Sequence, residues 1–349
     1  TEVIGLSRNR RSQSPKYAAE AKLIESIDWV PWWLFDRLPQ GFAGRVYARQ
    51  IIKQRPEFSV DLRDWSDEIV LELLSGYPVD AIGNLLIGDK DLLRYQSVKQ
   101  RSVSLSDLPR LAEQAKNLCQ TLISGDQPKF CCDIEAIGPC IVKFAETERH
   151  ADLLIAEHIA LSVLNDAGIP AAYTMLIRSG TYQFLVIRRF DCIHSGRRGM
   201  LSLKALDVEF VGSRDQRWPM IVSQLVEQVI VEPYALNTSQ LLFCFGRLIG
   251  NSDMHTGNIS FFNDGQTPFA LAPAYDQLPM AYHSDKQDIV LITVDGDLPD
   301  RSWTEALPLA LRFWRTLAEQ PLLSELFRNI AMQMLRYVQH DVVNKIRTL

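Results

Sequence analysis

An α+β fold of two lobes, preceded by a further lobe, is predicted by three observations. Short apolar runs bounded by turn residues fill much of 121–190. Apolar residues at three- and four-residue spacing dominate 191–349, the mark of a mainly helical lobe. Ahead of both, residues 26–120 carry their own aromatic and aliphatic clusters and no motif with chemistry in it. A chain of 349 residues is long enough to give each lobe a core.

Composition narrows the class. The apolar fraction of 47% and charged fraction of 23% are those of an ordinary soluble protein. A net charge of −5 supplies no global basic field that would demand nucleic acid. The six cysteines (Cys119, Cys131, Cys132, Cys140, Cys192 and Cys244) show no C-x-x-C pair and no zinc spacing. Buried thiols in a reduced, cytoplasmic protein are therefore expected. No apolar run reaches the roughly 18 residues of a spanning helix, so no membrane partner is expected. Residues 1–20 lack the apolar centre of a signal peptide.

In order, residues 1–25 form a basic arm with Arg8, Arg10, Arg11, Lys16 and Lys22. It reads either as a solvated arm or, through Val3–Leu6 and Tyr17, as the remnant of a β-wing. In a wing, its arginines would touch DNA phosphates. Trp29, Trp32, Trp33 and Phe35 precede Pro39–Arg45 and are expected to anchor a small core. Asp64–Glu68, followed by Ile69, Leu71, Leu73 and Leu74, reads as a capped helix with an acidic first turn. A short strand over Gly83–Gly88, a polar connector over 99–106 and an amphipathic helix over Leu108–Cys119 complete this lobe.

From residue 121 the character changes. A turn around Ser124-Gly125-Asp126-Gln127 leads into Lys129-Phe-Cys-Cys, and Pro139–Phe144 is a strand carrying Lys143. A lone strand lysine is either an edge residue reaching for water or the phosphate-facing lysine of a nucleotide-binding hairpin. The helix over Asp152–Ala167 holds Glu157, read as solvated or as orienting Lys143. Tyr182–Asp191 is an apolar strand ending in a charged break, where a hinge between lobes would fall. Ser195–Gly199 is a flexible basic loop that reads as exposed or as contacting a phosphate or acidic partner, and helices follow over Met220–Ile230 and Thr238–Ile249.

The central stretch is Asn251-Ser-Asp253-Met-His255-Thr-Gly-Asn258, followed by Ala274-Tyr275-Asp276. Phosphoryl transfer needs a carboxylate near the attacking hydroxyl and hard oxygen ligands for magnesium, and this stretch offers both. Asp253 precedes Asn258 by the spacing of the catalytic Asp and metal-binding Asn of protein kinases, although the words HRD and DFG are absent. Alone, Asn251–Asp253 could equally cap a turn. A helix-like run before it, a strand at Ile259–Phe262, a turn at Asn263–Gly265 and a return strand at Phe269–Leu271 bring Asp276 back toward Asn258. Asp288–Val294 is read as a strand and Trp303–Leu349 as helices. Small-residue turn, strand lysine, helix glutamate, hinge and acidic loop follow one another as in a bilobal protein kinase.

The words GNSDMHTGN and LAPAYD resemble the catalytic and metal-binding segments of HipA-family serine/threonine kinases, the toxins of type II toxin–antitoxin systems. The likeness runs from about residue 28 to the end. Through PQGFAGRVYAR, GNLLIGD, SGDQPKF and GRRGMLSLKALDVEFVG it is greatest to the YjjJ-like branch, which carries a helix-turn-helix region ahead of the kinase. The resemblance implies a bilobal protein-kinase-like (HipA-like) α+β fold with an added N-terminal lobe. It implies ATP and Mg2+ as cofactors, Asp253 as catalytic base, and Asn258 and Asp276 as magnesium ligands. Ser124, Gly125, Asp126, Gln127 and Lys129 become the phosphate loop, with Lys143 on the phosphates. Arg188, Arg189 and Phe190 become the hinge, and His255 and Tyr275 line the nucleotide side. The implied partners are a protein substrate such as an aminoacyl-tRNA synthetase, an antitoxin, and DNA through the N-terminal region.

Two departures bear on these expectations. Leu122 stands where the family's loop opens on an autophosphorylated serine, so that off-switch is absent or moved to Ser124 or Thr121. Arg188 stands where HipA has an acid. Two other readings share the chemistry: a DNA-bound regulator whose kinase fold is weak or inactive in transfer, and a small-molecule phosphotransferase.

Overall fold

The chain begins with β1 (Ile4–Leu6), and α1 (Gly41–Ile52) precedes α2 (Asp67–Gly76), whose cap Ser66 accepts from the Ile69 N–H. β2 (Leu85–Ile87) pairs antiparallel with β1, Gly5 opposite Leu86, and runs into α3 (Gly88–Val98). The computed structural model describes residues 4–6, 32–98, 102–119, 121–123, 125–194, 196–283 and 291–348. The partner of the first strand is thus β2, and Tyr17 of the expected wing lies outside the described residues.

Two units divide the chain. One comprises 1–144, 187–201 and 262–269; the other comprises 145–186, 202–261 and 270–349. In the first, Leu34, Tyr47, Ile51, Trp65, Leu73, Leu74 and Leu122 form a core against which Trp33 packs from its edge. The Tyr47 hydroxyl donates to the carbonyls of Leu73 (2.9 Å) and Tyr77 (3.1 Å), tying α1 to the end of α2. The expected tryptophan anchors are corrected here: Trp32, Trp33 and Phe35 are half-exposed, and Tyr47 and Trp65 hold the centre. Trp29 lies outside the described residues.

β3 (Ser102–Val103), α4 (Leu108–Ala115), β4 (Lys129–Ile134) and β5 (Gly138–Ala145) follow. β3 lies parallel to β4, and β4 pairs antiparallel with β5 in a register that sets Lys129 opposite Lys143. Thr147 caps α5 (Glu148–Asp166), and β6 (Thr174–Ser179) neighbours β7 (Tyr182–Arg188). β8 (Cys192–Ile193) and β9 (Gly196–Arg197) make a small antiparallel ribbon, followed by β10 (Gly199–Ser202).

The ribbon overturns the expected exposed loop over 196–199, Ser195 lying outside the described residues. Arg197 is buried, its guanidinium on Asp80 (2.7 Å) and its face over the Tyr95 ring. Arg189 joins the same cluster, bonded to Asp80 (2.5 Å) and Asp191 (2.6 Å), and Asp191 accepts from the Gly83 N–H. Burial pushes the Asp80 carboxyl up, but Arg189, Arg197 and Arg94 outweigh it and hold the group well below the usual carboxylate range. A loop of small and basic residues becomes ordered because the preceding lobe supplies its counter-charges.

In the second unit, α6 (Leu203–Phe210) and α7 (Trp218–Glu227) lead to α8 (Tyr234–Leu248). α8 is buried on several faces because α7 and the later helix Asp300–Glu319 both pack against it. After it come β11 (Ser260–Asn263), β12 (Ala270–Leu271), α9 (Asp300–Glu319), α10 (Glu325–Tyr337) and α11 (Val343–Arg347). Phe245 meets Phe313 edge-on, and the Trp314 indole donates to the Leu248 carbonyl at 3.0 Å, closing the C-terminal end of α8.

The expected strand at Asp288–Val294 is not formed over Leu291–Val294; Asp288–Val290 lie outside the described residues. Side chains satisfy that backbone instead. Tyr337 accepts from the Ile292 N–H, and Lys345 donates to its carbonyl. No described helix is long and apolar enough to cross a membrane.

Candidate functional site

The loop after α8 is built by its own side chains. Gly250 takes φ +74°, turning the chain out of the helix. Asn251, buried, then makes two bonds: its Oδ1 accepts from the Asp253 N–H (3.1 Å), and its Nδ2 donates to the Asp276 carbonyl (3.3 Å). Asn258, also buried, donates from Nδ2 to the Asp253 carbonyl at 2.8 Å. That bond fixes the amide's orientation, with Oδ1 the atom that can accept. Asp253 is thus bonded to Asn258 through its carbonyl and linked through Asn251 to the backbone of Asp276.

The surroundings hold this loop in place. The Trp218 indole donates to the His255 carbonyl (3.0 Å), and His255 Nδ1 accepts from the Gly257 N–H (3.0 Å). A Cβ on Gly246 would meet the Met254 sulfur, so the Met254 side chain packs directly over the α8 backbone. The Tyr275 hydroxyl donates to the Gly257 carbonyl (2.9 Å) and meets the Ser260 hydroxyl at 2.6 Å. Asp276 itself sits at φ +57°, a left-handed conformation uncommon outside glycine and one that clusters at functional sites. Exposure is graded: Asp253 is exposed, Asp276 half-buried and Asn258 buried.

The remaining expected residues belong to the first unit. Lys129 and Lys143 are both buried and stand opposite each other on β4 and β5. Gly125 takes φ +107°, its carbonyl accepts from the Phe42 N–H, and a Cβ there would crowd the Lys129 ammonium. Gln127 donates to the Phe144 carbonyl at 2.7 Å, closing the turn against β5. Asp126 is exposed and pairs with Arg45. Ser124 lies outside the described residues.

Three expectations change in detail. The Arg189 side chain is committed to Asp80, Asp191 and the Ala81 carbonyl, leaving only its backbone position to a hinge. Arg188 is exposed, and Phe190 packs edge-on against Phe262. Leu122 belongs to the core of the first unit and Thr121 is buried, which removes Thr121 as an accessible site for a relocated phosphorylation. Glu157 is fully buried, which excludes its reading as a solvated residue.

Residues 121–345 match the HipA-like C-terminal domain, and residues 7–96 match the middle domain of YjjJ-like toxins. The chain belongs to the HipA-like family, in its YjjJ-like branch. Toxin YjjJ of Escherichia coli (strain K12) is 36% identical over 331 residues, covering 88% of this chain and 74% of that protein. Among solved structures, the Shewanella oneidensis MR-1 toxin–antitoxin system of HipA, HipB and operator DNA aligns at a TM-score of 0.60. That alignment has 16% identity and covers 91% of this chain and 87% of that one. At such identity the likeness bears on fold alone, and the fold is the α+β arrangement of HipA.

Proposed function

We propose that this HipA-like chain is an ATP- and Mg2+-dependent serine/threonine protein kinase that acts as a toxin on a cytoplasmic protein. A component of the translation machinery, such as an aminoacyl-tRNA synthetase, is the proposed substrate. The observation that carries the reading is the Asn251 amide, which couples the Asp253 loop to Asp276. Asp253, exposed at the loop's tip, would align the target hydroxyl and take its proton.

The donor set suits magnesium. Asn258 Oδ1 and the Asp276 carboxylate are hard oxygens, and Mg2+ is commonly held by one or two carboxylates together with substrate phosphates and water. When bound, the ion would neutralise charge developing on the transferred phosphoryl group. Lys129 and Lys143, with the Gly125–Gln127 turn, are proposed to hold the phosphates, and His255 and Tyr275 to line the nucleotide side. The backbone at 188–190 is proposed to read the base. Ser124 is left as the proposed place for a relocated autoregulatory phosphate. We extend the antitoxin and operator DNA of the Shewanella oneidensis assembly to this chain as proposed partners.

The test is incubation with γ-labelled ATP and Mg2+ in a cytosolic extract, beside Asp253→Gln. Label on one extract protein, lost in the variant, is expected. ATP binding without transfer to any protein would overturn the kinase reading in favour of a nucleotide-binding regulator. Label on a metabolite would instead identify a small-molecule phosphotransferase.

A further inference from the structure

We infer that His150 and His283 form a binding site for a divalent transition-metal ion of the zinc type. His150 lies in the first turn of α5, and His283 follows the short turn Met280–Tyr282 beyond Asp276. Their Nε2 atoms approach to 3.3 Å. Two imidazole nitrogens, each about 2.0–2.1 Å from a tetrahedral zinc, lie about 3.3 Å apart. The pair already has the bite of a chelate.

The outer bond of His150 favours the same role. Its Nδ1 lies 2.8 Å from the Thr147 Oγ1, the oxygen that also caps α5 by accepting from the His150 N–H. With Nδ1–H donating to Thr147, the lone pair of Nε2 points at His283, the tautomer that metal-bound histidines adopt through such partners. Burial and the neighbouring His283 hold the His150 pKa below its ordinary value, which keeps the ring neutral and able to ligate near pH 7. Among the described residues no three or more His, Cys, Asp or Glu side chains converge, so water would complete the coordination. An ion held there would tie the start of α5 to the segment beyond Asp276, whether or not the protein transfers phosphate.

Titration of the full chain with ZnCl2 by calorimetry, and with Co2+ by visible absorption, tests the site. The wild type is expected to take one equivalent with cobalt bands of tetrahedral type. His283→Ala, at an exposed position, and His150→Ala are each expected to weaken binding by about tenfold or more, since losing even an outer partner of a metal ligand has that effect. His340→Ala is expected to bind as the wild type does. Absence of stoichiometric binding in the wild type, or equal affinity in His283→Ala, would overturn the site.

Discussion

The Asn251 side-chain amide donates to the Asp276 carbonyl at 3.3 Å while its oxygen receives the Asp253 N–H. One buried residue thereby sets the distance between the proposed base and the proposed metal ligand. Asn251→Ala removes both bonds and leaves the backbone groups to find other partners, at a cost of about 1–3 kcal/mol in stability. We expect phosphoryl transfer to fall about 100-fold, the scale of an ångström-sized misplacement. Steady-state kinetics should place the loss in kcat, with little change in KM for ATP. A kcat like that of wild type would remove Asn251 from the account.

Asp80 is the hub of the first unit's ion cluster, with Arg189 and Arg197 both on its carboxylate. Asp80→Ala takes the carboxylate from buried Arg197 and leaves buried Arg189 to share Asp191 alone. The expected loss is about 3–5 kcal/mol, the usual cost of breaking a buried pair from one side. Urea unfolding monitored by tryptophan fluorescence measures it, and a shift of less than about 1 kcal/mol would contradict the hub role.

His158 gives a pH signature. Its Nδ1 lies 2.8 Å from Thr174 Oγ1, and burial lowers its pKa from 6.5. As pH falls below 6.5, the unfolded chain takes the proton first, so stability falls with it. The contribution is fully present above that pH and is lost toward the folded pKa. In His158→Gln, the dependence of unfolding free energy on pH below 6.5 should be shallower than in wild type. Equal slopes would refute the assignment.

Burial pushes the thiols of Cys119, Cys131, Cys140 and Cys244 up to about 12, and that of Cys192 to about 11. Thiolates are therefore scarce at pH 8, and iodoacetamide should leave these five unmodified in the native protein while labelling them in urea. Mass spectrometry of digested samples reads the outcome. Rapid native labelling at Cys140 would show the β4–β5 hairpin opening far more readily than its packing implies.

The acidic loop was legible because phosphoryl transfer restricts residue types, and turn chemistry restricts their spacing. Asp253, Asn258 and Asp276 could be proposed together from chemistry before any fold was known. Asn251 stood in the same stretch but read as a turn cap, because its second partner, the Asp276 carbonyl, is remote in sequence. The same limit hid Asp80: an aspartate next to Val79 and Ala81 gives no sign of two arginines more than a hundred residues on. Arg197 was misread for the converse reason, since a basic loop looks solvated until its buried counter-ions are known. Leu291–Val294 has strand composition, yet side chains of the last helices satisfy its backbone in place of a neighbouring strand.

The most direct test of the account is a paired measurement on Asp253→Gln and Asp276→Asn. Mg2+-dependent ATP binding is followed by calorimetry, and γ-phosphate transfer by label. The account predicts that Asp253→Gln binds MgATP as wild type does and transfers nothing, whereas Asp276→Asn loses the Mg2+ dependence of binding as well as transfer. Wild-type transfer by Asp253→Gln would contradict it.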